Sequence, residues 1–126
     1  MPMLRVLVVD DYPDSAETAC ALLAMLGHDC RFATSGAKAL EEAAQFLPDV
    51  AILDIGLPVM DGYELAERIR AQLGDAAPEL VALTGYGQPS DRDRSARAGF
   101  ALHLVKPVDL QGLLRYLRGD QRGGVA

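Results

Sequence analysis

The sequence lacks tryptophan, and aromatic residues make up only 6% of its 126 residues. Aliphatic side chains must therefore build the core. No apolar run is long enough to span a membrane. Basic residues are also scarce, with 12 Lys and Arg against 18 Asp and Glu and a net charge of −6. This deficit argues against nucleic acid as a direct partner, because such binding depends on clustered positive charge. We expect one cytoplasmic domain that is large enough to bury a core.

Cysteine is nearly absent as well, since the chain has only Cys20 and Cys30. Two cysteines at this spacing do not make a zinc site. The first residues, 1–4, run directly into an apolar strand, so we expect no signal peptide. In a cytoplasmic protein we expect both cysteines to be reduced, small and buried, and a disulfide is the less favoured alternative.

Short apolar segments alternate with amphipathic ones along the chain. The apolar segments predict strands at about 4–9, 28–33, 50–53, 80–83 and 101–105. The amphipathic segments predict helices at about 13–26, 35–46, 61–73, 90–98 and 109–118. This alternation favours an α/β fold, a doubly wound five-stranded parallel sheet with five helices on its two faces. We predict one domain over 1–118 and a flexible, glycine-rich tail over 119–126.

Polar residues stand at the ends of four predicted strands. Asp10 and Asp11 follow the first strand, Asp54 ends the third, Thr84 the fourth and Lys106 the fifth. Each has an ordinary explanation: an acid at a loop or helix cap, a β-branched strand residue, an exposed lysine. In a parallel sheet, however, all carboxyl ends lie at one rim, where open α/β sheets bind their ligands. The five residues together therefore predict a functional site.

The residue types at this rim suit phosphoryl chemistry. Three carboxylates packed together repel, and a divalent cation such as Mg2+ relieves that repulsion. The carboxylate of Asp54 can act as a nucleophile toward phosphorus and form a mixed anhydride. The hydroxyl of Thr84 and the ammonium of Lys106 can neutralise charge on the phosphoryl oxygens.

With these motifs in place, the chain resembles a response-regulator receiver domain of two-component signalling, the CheY-like family, over nearly its whole length. The acid pair Asp10-Asp11 matches the metal-binding acids of the family. Asp54, with the loop that ends in Asp61-Gly62, matches the phosphoacceptor segment. Thr84 matches the switch hydroxyl, and Lys106-Pro107 matches the family's Lys-Pro pair.

The resemblance carries further implications. It implies a flavodoxin-like strand order, 2-1-3-4-5, and a cis peptide bond between Lys106 and Pro107. It implies Mg2+ as the cofactor, with Asp10, Asp11, Asp54 and the backbone carbonyl of Gly56 as its ligands.

The function that the resemblance implies is phosphoryl transfer to Asp54 from a phosphohistidine on a histidine kinase or histidine phosphotransfer protein. The domain would then slowly hydrolyse its own aspartyl phosphate and would switch the surface of the fourth helix, fifth strand and fifth helix. We expect a monomer or weak dimer with no membrane partner, and a signalling protein rather than an enzyme.

At His103 the chain departs from the common receiver pattern, and Gly56 and Tyr86 lie at positions where the family tunes its reaction. His103 stands where many receivers carry a rotating Tyr or Phe switch residue. We expect it to fill that slot as a smaller ring, and the alternative hypothesis is that its imidazole makes activation depend on pH. Gly56 and Tyr86 lie two residues beyond Asp54 and Thr84, where the family tunes access of water. Tyr86 either covers the phosphoryl group or is a surface ring.

Two competing functions remain open. A receiver-like interaction module would work without phosphorylation, although its site residues are complete here. A haloacid-dehalogenase-like phosphatase uses similar parts but needs a second acid two residues after its nucleophile, to protonate the leaving group. The chain has Gly56 at that position, which makes the phosphatase the weaker alternative.

Overall fold

The computed structural model describes residues 3–84, 92–105 and 115, and these residues contain one five-stranded sheet. Its strands are parallel and are ordered β2-β1-β3-β4-β5. Their bounds are β1 Arg5–Val9, β2 Asp29–Ala33, β3 Val50–Asp54, β4 Glu79–Thr84 and β5 Phe100–Val105. The predicted parallel α/β sheet and its order 2-1-3-4-5 are confirmed.

Four helices cover the sheet within the described residues. They are α1 Pro13–Met25, α2 Gly36–Phe46, α3 Gly62–Leu73 and α4 Arg92–Ala98, and a 3-10 turn at Gly74–Ala76 follows α3. The predicted fifth helix lies outside the described residues except for Arg115, which is helical. The predicted tail also lies outside them. No helix in the described part is both long and apolar enough to cross a membrane.

Local sequence explains where the helices begin. Pro13 opens α1, a position where its fixed φ suits a helix and its missing N–H costs nothing. The side chain of Ser35 accepts a hydrogen bond from the amide of Lys38 at 3.2 Å and caps α2. The carboxylate of Asp61 accepts from the amide of Glu64 at 2.9 Å and caps α3. Each cap satisfies a donor that the first turn of a helix leaves unpaired.

The core consists of two layers, one on each face of the sheet. Alternate residues of β1 supply both layers, because successive side chains of a strand point to opposite faces. Leu7 and Val9 lie in the layer that contains buried residues of α2 and α3. Val6 and Val8 lie in the layer that contains buried residues of α1. β3 is buried along its whole length, as expected for a central strand of a parallel sheet.

A β-bulge interrupts the pairing of β4 with β5. Leu80 pairs with Phe100, but Val81 pairs with Leu102, so Ala101 is the extra residue. The bulge places Phe100 and His103 on the same face, although residues three apart in a regular strand point to opposite faces. Their rings pack edge to face with centroids 6.1 Å apart.

The expectation that the cysteines are reduced is wrong for this structure. Cys20 of α1 and Cys30 of β2 form a disulfide, with their Cα atoms 5.3 Å apart. That separation lies in the normal range for disulfides. The expectation was derived from the predicted compartment. It could not take account of the turn after α1, which brings β2 alongside the helix and so brings the two side chains together.

We expect the disulfide to contribute to stability, because it restricts the unfolded chain by closing a short loop between residues ten apart. Cys20→Ala/Cys30→Ala should lower the free energy of unfolding by about 2–3 kcal/mol, as measured by urea denaturation. A thiol reductant should destabilise the wild type by a similar amount and leave the double variant unchanged. Equal unfolding midpoints for the wild type and the double variant would contradict the prediction.

His28 is a buried titratable side chain that lies between α1 and β2. Its Nδ1 accepts a hydrogen bond from the amide of Leu4 at 3.1 Å. Its Nε2 is buried and has no hydrogen-bond partner in the described part of the chain. Burial lowers the pKa of His28, because the charged imidazolium loses its hydration in this environment.

This lowered pKa should make the fold sensitive to acid. Below its ordinary pKa of about 6.5, the histidine takes up a proton in the unfolded chain before it does so in the folded protein. The free energy of unfolding should therefore fall as the pH drops from about 7.5 to 5.5, by at most about 1.4 kcal/mol per pH unit from this group. Urea denaturation of wild type and His28→Gln at both pH values measures the difference. If the free energy of unfolding fell equally in both proteins, His28 would not be a cause of the acid sensitivity.

Candidate functional site

Three carboxylates converge at the carboxyl ends of β1 and β3. These strands are neighbours, and Val9 pairs with Leu53, so Asp10 and Asp54 lie at the same level of the sheet. Both are buried, at 2% and 5% exposure, whereas Asp11 is exposed. One carboxylate oxygen from each of the three lies within 4.8 Å of the others. The structure thus brings together the three acids that the sequence placed at one rim.

The loops after the strands orient the two buried carboxylates. Oδ1 of Asp10 accepts a hydrogen bond from the amide of Tyr12 at 3.0 Å. Oδ1 of Asp54 accepts from the amide of Gly56 at 2.9 Å. In both cases an aspartate bonds to the backbone two residues further on, which is the Asx-turn geometry that aspartate favours in loops. Each carboxylate is therefore held in place by its own loop.

Gly62, the first residue of α3, lies directly against the backbone of Asp54. A β-carbon at this position would stand 2.6 Å from the carbonyl oxygen of Asp54 and 2.7 Å from the Cα of Ile55. The amide of Gly62 donates to the carbonyl of Ile55 at 3.0 Å. Only glycine permits this approach, so the start of α3 supports the residue that carries the central carboxylate.

Thr84 ends β4 at the same rim and is buried. Its register places it one residue beyond the partner of Asp54, which pairs with Leu83. The hydroxyl of Thr84 donates a hydrogen bond to the carbonyl of Leu104 in β5, at 3.3 Å. The hydroxyl is thus directed toward the neighbouring strand in this structure.

The other predicted site residues are only partly described. His103 lies in β5 opposite Ala82 and is half-buried. Gly56 contributes its amide to Asp54, and the role of its carbonyl stays a prediction. Lys106, Pro107 and Tyr86 lie outside the described residues, and so does the predicted cis bond.

The acid cluster suits a hard divalent cation. Mg2+ prefers oxygen ligands at about 2.1 Å, usually one or two carboxylates together with waters. Ligand oxygens around such an ion lie up to about 4.2 Å apart, so small side-chain rotations would bring the three oxygens into range. Neighbouring carboxylates repel each other when ionised, and a bound cation would offset that repulsion.

The fold and these side chains define a class of protein, the doubly wound α/β domains with an acidic site at the carboxyl ends of their strands. The family model of the response regulator receiver domain matches residues 6–118. The chain therefore belongs to the response regulator receiver domain family of two-component systems. Members of this family are signalling modules rather than enzymes in the usual sense, and they generally bind Mg2+ at an acidic pocket.

Individual relatives agree with this assignment. The chain is 33% identical over 116 residues to the DNA-binding dual master transcriptional regulator RpaA of Synechocystis, covering 92% of this chain and 48% of that protein. It is 35% identical to the sensor histidine kinase RcsC of Salmonella typhi, covering 90% of this chain and 12% of that protein. The chain thus spans about half of the first relative and about an eighth of the second.

A solved structure supports the same family. The chemotaxis response regulator CheY4 of Vibrio cholerae matches with a TM-score of 0.81 at 30% sequence identity. The match covers 93% of this chain and 98% of that one.

We expect Gly62→Ala to disturb the site, because the new methyl group would meet the backbone of Asp54 and Ile55. The free energy of unfolding should fall by about 1–3 kcal/mol in urea denaturation. Gly36→Ala is a matched control at another helix start. Its β-carbon would meet the sulfur of Met60 at 2.9 Å and the Cβ of Met60 at 3.2 Å, and both are side-chain atoms rather than backbone. The control should lose less stability than Gly62→Ala, because a side chain can move further than backbone, and an equal loss in both variants would contradict the argument.

Proposed function

We propose that this domain accepts a phosphoryl group from a phosphohistidine onto Asp54 and in response changes its surface around α4, β5 and the predicted fifth helix. The observation that carries the proposal is the convergence of Asp10, Asp11 and Asp54 at one rim, with Asp54 buried and oriented by its loop. The donor is a histidine kinase or a histidine phosphotransfer protein. The similarity to a segment of a sensor histidine kinase supports a partner of this kind.

In the proposed reaction, a carboxylate oxygen of Asp54 attacks phosphorus as the nitrogen–phosphorus bond of the donor breaks. The bonding electron pair returns to the donor imidazole, and the product on this chain is a mixed anhydride. The hydrogen bond from the amide of Gly56 fixes the plane of the carboxylate before the attack. This positioning matters because phosphoryl transfer depends mainly on geometry and charge stabilisation.

Positive charge must balance the acids and the incoming phosphoryl oxygens. Asp10, Asp11 and Asp54, with the backbone carbonyl of Gly56, would hold Mg2+, which when bound neutralises that charge. We assign Lys106, which follows β5, to the phosphoryl oxygens as a second positive charge.

Thr84 gives the domain a means of switching. Its hydroxyl now donates to the carbonyl of Leu104 and would have to leave that bond in order to donate to a phosphoryl oxygen. Such a rotation changes the contacts of β4 with β5, the strand that carries His103. The change is a shift in population between two arrangements, and contacts to the phosphoryl group favour the second.

The remaining expectations concern the protein in its setting. A cytoplasmic location, a monomeric or weakly dimeric state and the absence of a nucleic-acid partner stay predictions. The family match argues against the phosphatase alternative. The phosphorylation-independent interaction module is the alternative that the experiment must decide.

The test is labelling by a small phosphodonor, acetyl phosphate, with Mg2+, followed by intact-mass measurement. Wild type should gain one phosphoryl group, and Asp54→Asn should gain none, because the nucleophile is gone. Asp11→Asn should slow labelling by about tenfold or more, since a metal ligand is lost. Asp14→Asn removes an exposed acid of α1 outside the cluster and serves as the matched control, with labelling at the wild-type rate.

A wild-type protein that takes no label would favour the phosphorylation-independent module. Equal labelling of wild type and Asp54→Asn would show that Asp54 is not the acceptor. A panel of histidine kinases with the same variants would then identify the donor.

A further inference from the structure

Helix α4 has a small apolar contact with the rest of the domain. Of its residues with described side chains, 93–98, only Ser95 and Ala98 are buried. Both are small, and the hydroxyl of Ser95 has no hydrogen-bond partner in the described part of the chain. Since hydrophobic stabilisation scales with the apolar area removed from water, this helix gains little of it. Other contacts must hold α4 in place.

Arg94 provides the most extensive of these contacts. Its Nη1 lies 3.3 Å from Oδ2 of Asp61, and its Nη2 lies 3.5 Å from Oδ1 of the same carboxylate. The guanidinium carbon also stands 4.6 Å from the centroid of the Tyr63 ring. A forked ion pair and a cation–π contact thus join α4 to the start of α3. Hereafter we refer to these contacts of Arg94 with Asp61 and Tyr63 as the Arg94 clamp.

The clamp reaches the acceptor residue through the start of α3. Asp61 is the cap of that helix and accepts from the amide of Glu64 at 2.9 Å. The next residue, Gly62, lies against the carbonyl of Asp54. If Asp54 moved on phosphorylation, Gly62 would have to move with it. The carboxylate of the adjacent Asp61, which binds Arg94, would then be displaced.

The clamp also reaches β5 through a row of rings. The ring of Tyr63 packs edge to face on Phe100 with centroids 6.1 Å apart. Phe100 packs in the same manner on His103, also at 6.1 Å. Arg94 therefore lies at one end of a continuous set of contacts, and the other end is the residue at the switch position of β5.

A second arginine holds the opposite end of α4. Nη1 of Arg70 in α3 donates to the carbonyl of Arg97 at 3.3 Å, in the last turn of α4. A positive charge is favourable there, because the carbonyls at a helix C-terminus carry partial negative charge. The Arg70 contact involves only the backbone of α4, so changing the side chain of Arg97 leaves it intact.

We propose that Arg94 is a positioning residue that holds α4 in the arrangement seen here. It thereby lowers the affinity of the site at Asp54 for a phosphoryl group or its mimic. The proposal rests on the proposed function, because it concerns the response to a group on Asp54. In this arrangement the Thr84 hydroxyl is directed to Leu104 rather than to a phosphoryl group. Contacts that belong to this arrangement stabilise it against the switched one. Their removal should favour occupation of the site.

The test compares binding of beryllofluoride, a tetrahedral mimic of an aspartyl phosphate, in the presence of Mg2+. Arg94→Met keeps the aliphatic stem and removes the clamp, and its affinity for beryllofluoride should rise about threefold. Arg97→Met removes the same charge from an exposed position of the same helix and should leave the affinity unchanged. Affinity for Mg2+ alone should be equal in all three proteins, because no metal ligand changes.

Asp61→Asn provides a second variant that keeps the helix cap, since asparagine caps helices as well as aspartate does. It loses the ion pair with Arg94, so its affinity should rise in the same direction. In the double variant Arg94→Met/Asp61→Asn, the increase should be smaller than the product of the two single increases, because both changes remove one interaction. Amide exchange over 93–98 without beryllofluoride should be faster in Arg94→Met than in Arg97→Met.

Two results would overturn the inference while the proposed function stands. One is wild-type binding with no gain in Arg94→Met over Arg97→Met. The other is independent, multiplicative effects in the double variant. A wild type that binds no beryllofluoride would instead overturn the proposed function, and this inference with it.

Discussion

The parallel pairing of β1 with β3 is the constraint on which the site depends. This register brings Asp10 and Asp54 to the same level at the end of two buried strands. Two carboxylates side by side in a poorly hydrated place repel each other, and burial strengthens that repulsion. The amides of Tyr12 and Gly56 each donate a hydrogen bond to one oxygen of this pair. The fold therefore concentrates negative charge at the rim of the sheet, where a bound cation would be stabilised.

The contacts that connect Asp54 to the rest of the domain become weaker with distance from the sheet. Next to Asp54, the contact of Gly62 is backbone on backbone and leaves no room for adjustment. One residue earlier, Asp61 is held by a cap hydrogen bond and an ion pair. At α4 the described polar contacts are one ion pair, one cation–π contact and one hydrogen bond from Arg70 to a backbone carbonyl. An ion pair at the surface contributes little and is screened by salt. The surroundings of Asp54 are thus closely packed, whereas α4 is held mainly by polar contacts at the surface.

The sequence predicted the features that depend on local pattern and on one topological rule. Apolar runs predicted the strands, and the rule that parallel strands end at one rim predicted the convergence of Asp10, Asp11 and Asp54. It did not predict the disulfide of Cys20 with Cys30, because the approach of the two residues depends on how α1 packs beside β2. The contact of Arg94 with Asp61 spans 33 residues, and no periodic pattern marks it. The bulge at Ala101 leaves no signal either, since it is a property of pairing rather than of composition.

That bulge changes how His103 should be interpreted. In a regular strand, Phe100 and His103 would point to opposite faces, and their rings could not pack on each other. The extra residue places both rings on one face, where Tyr63 extends the row toward α3. The ring of His103 therefore packs on Phe100 and is connected through it to Tyr63. Motion of β5 that follows Thr84 would pass to Tyr63 through packed rings, and Tyr63 is the residue on which Arg94 rests.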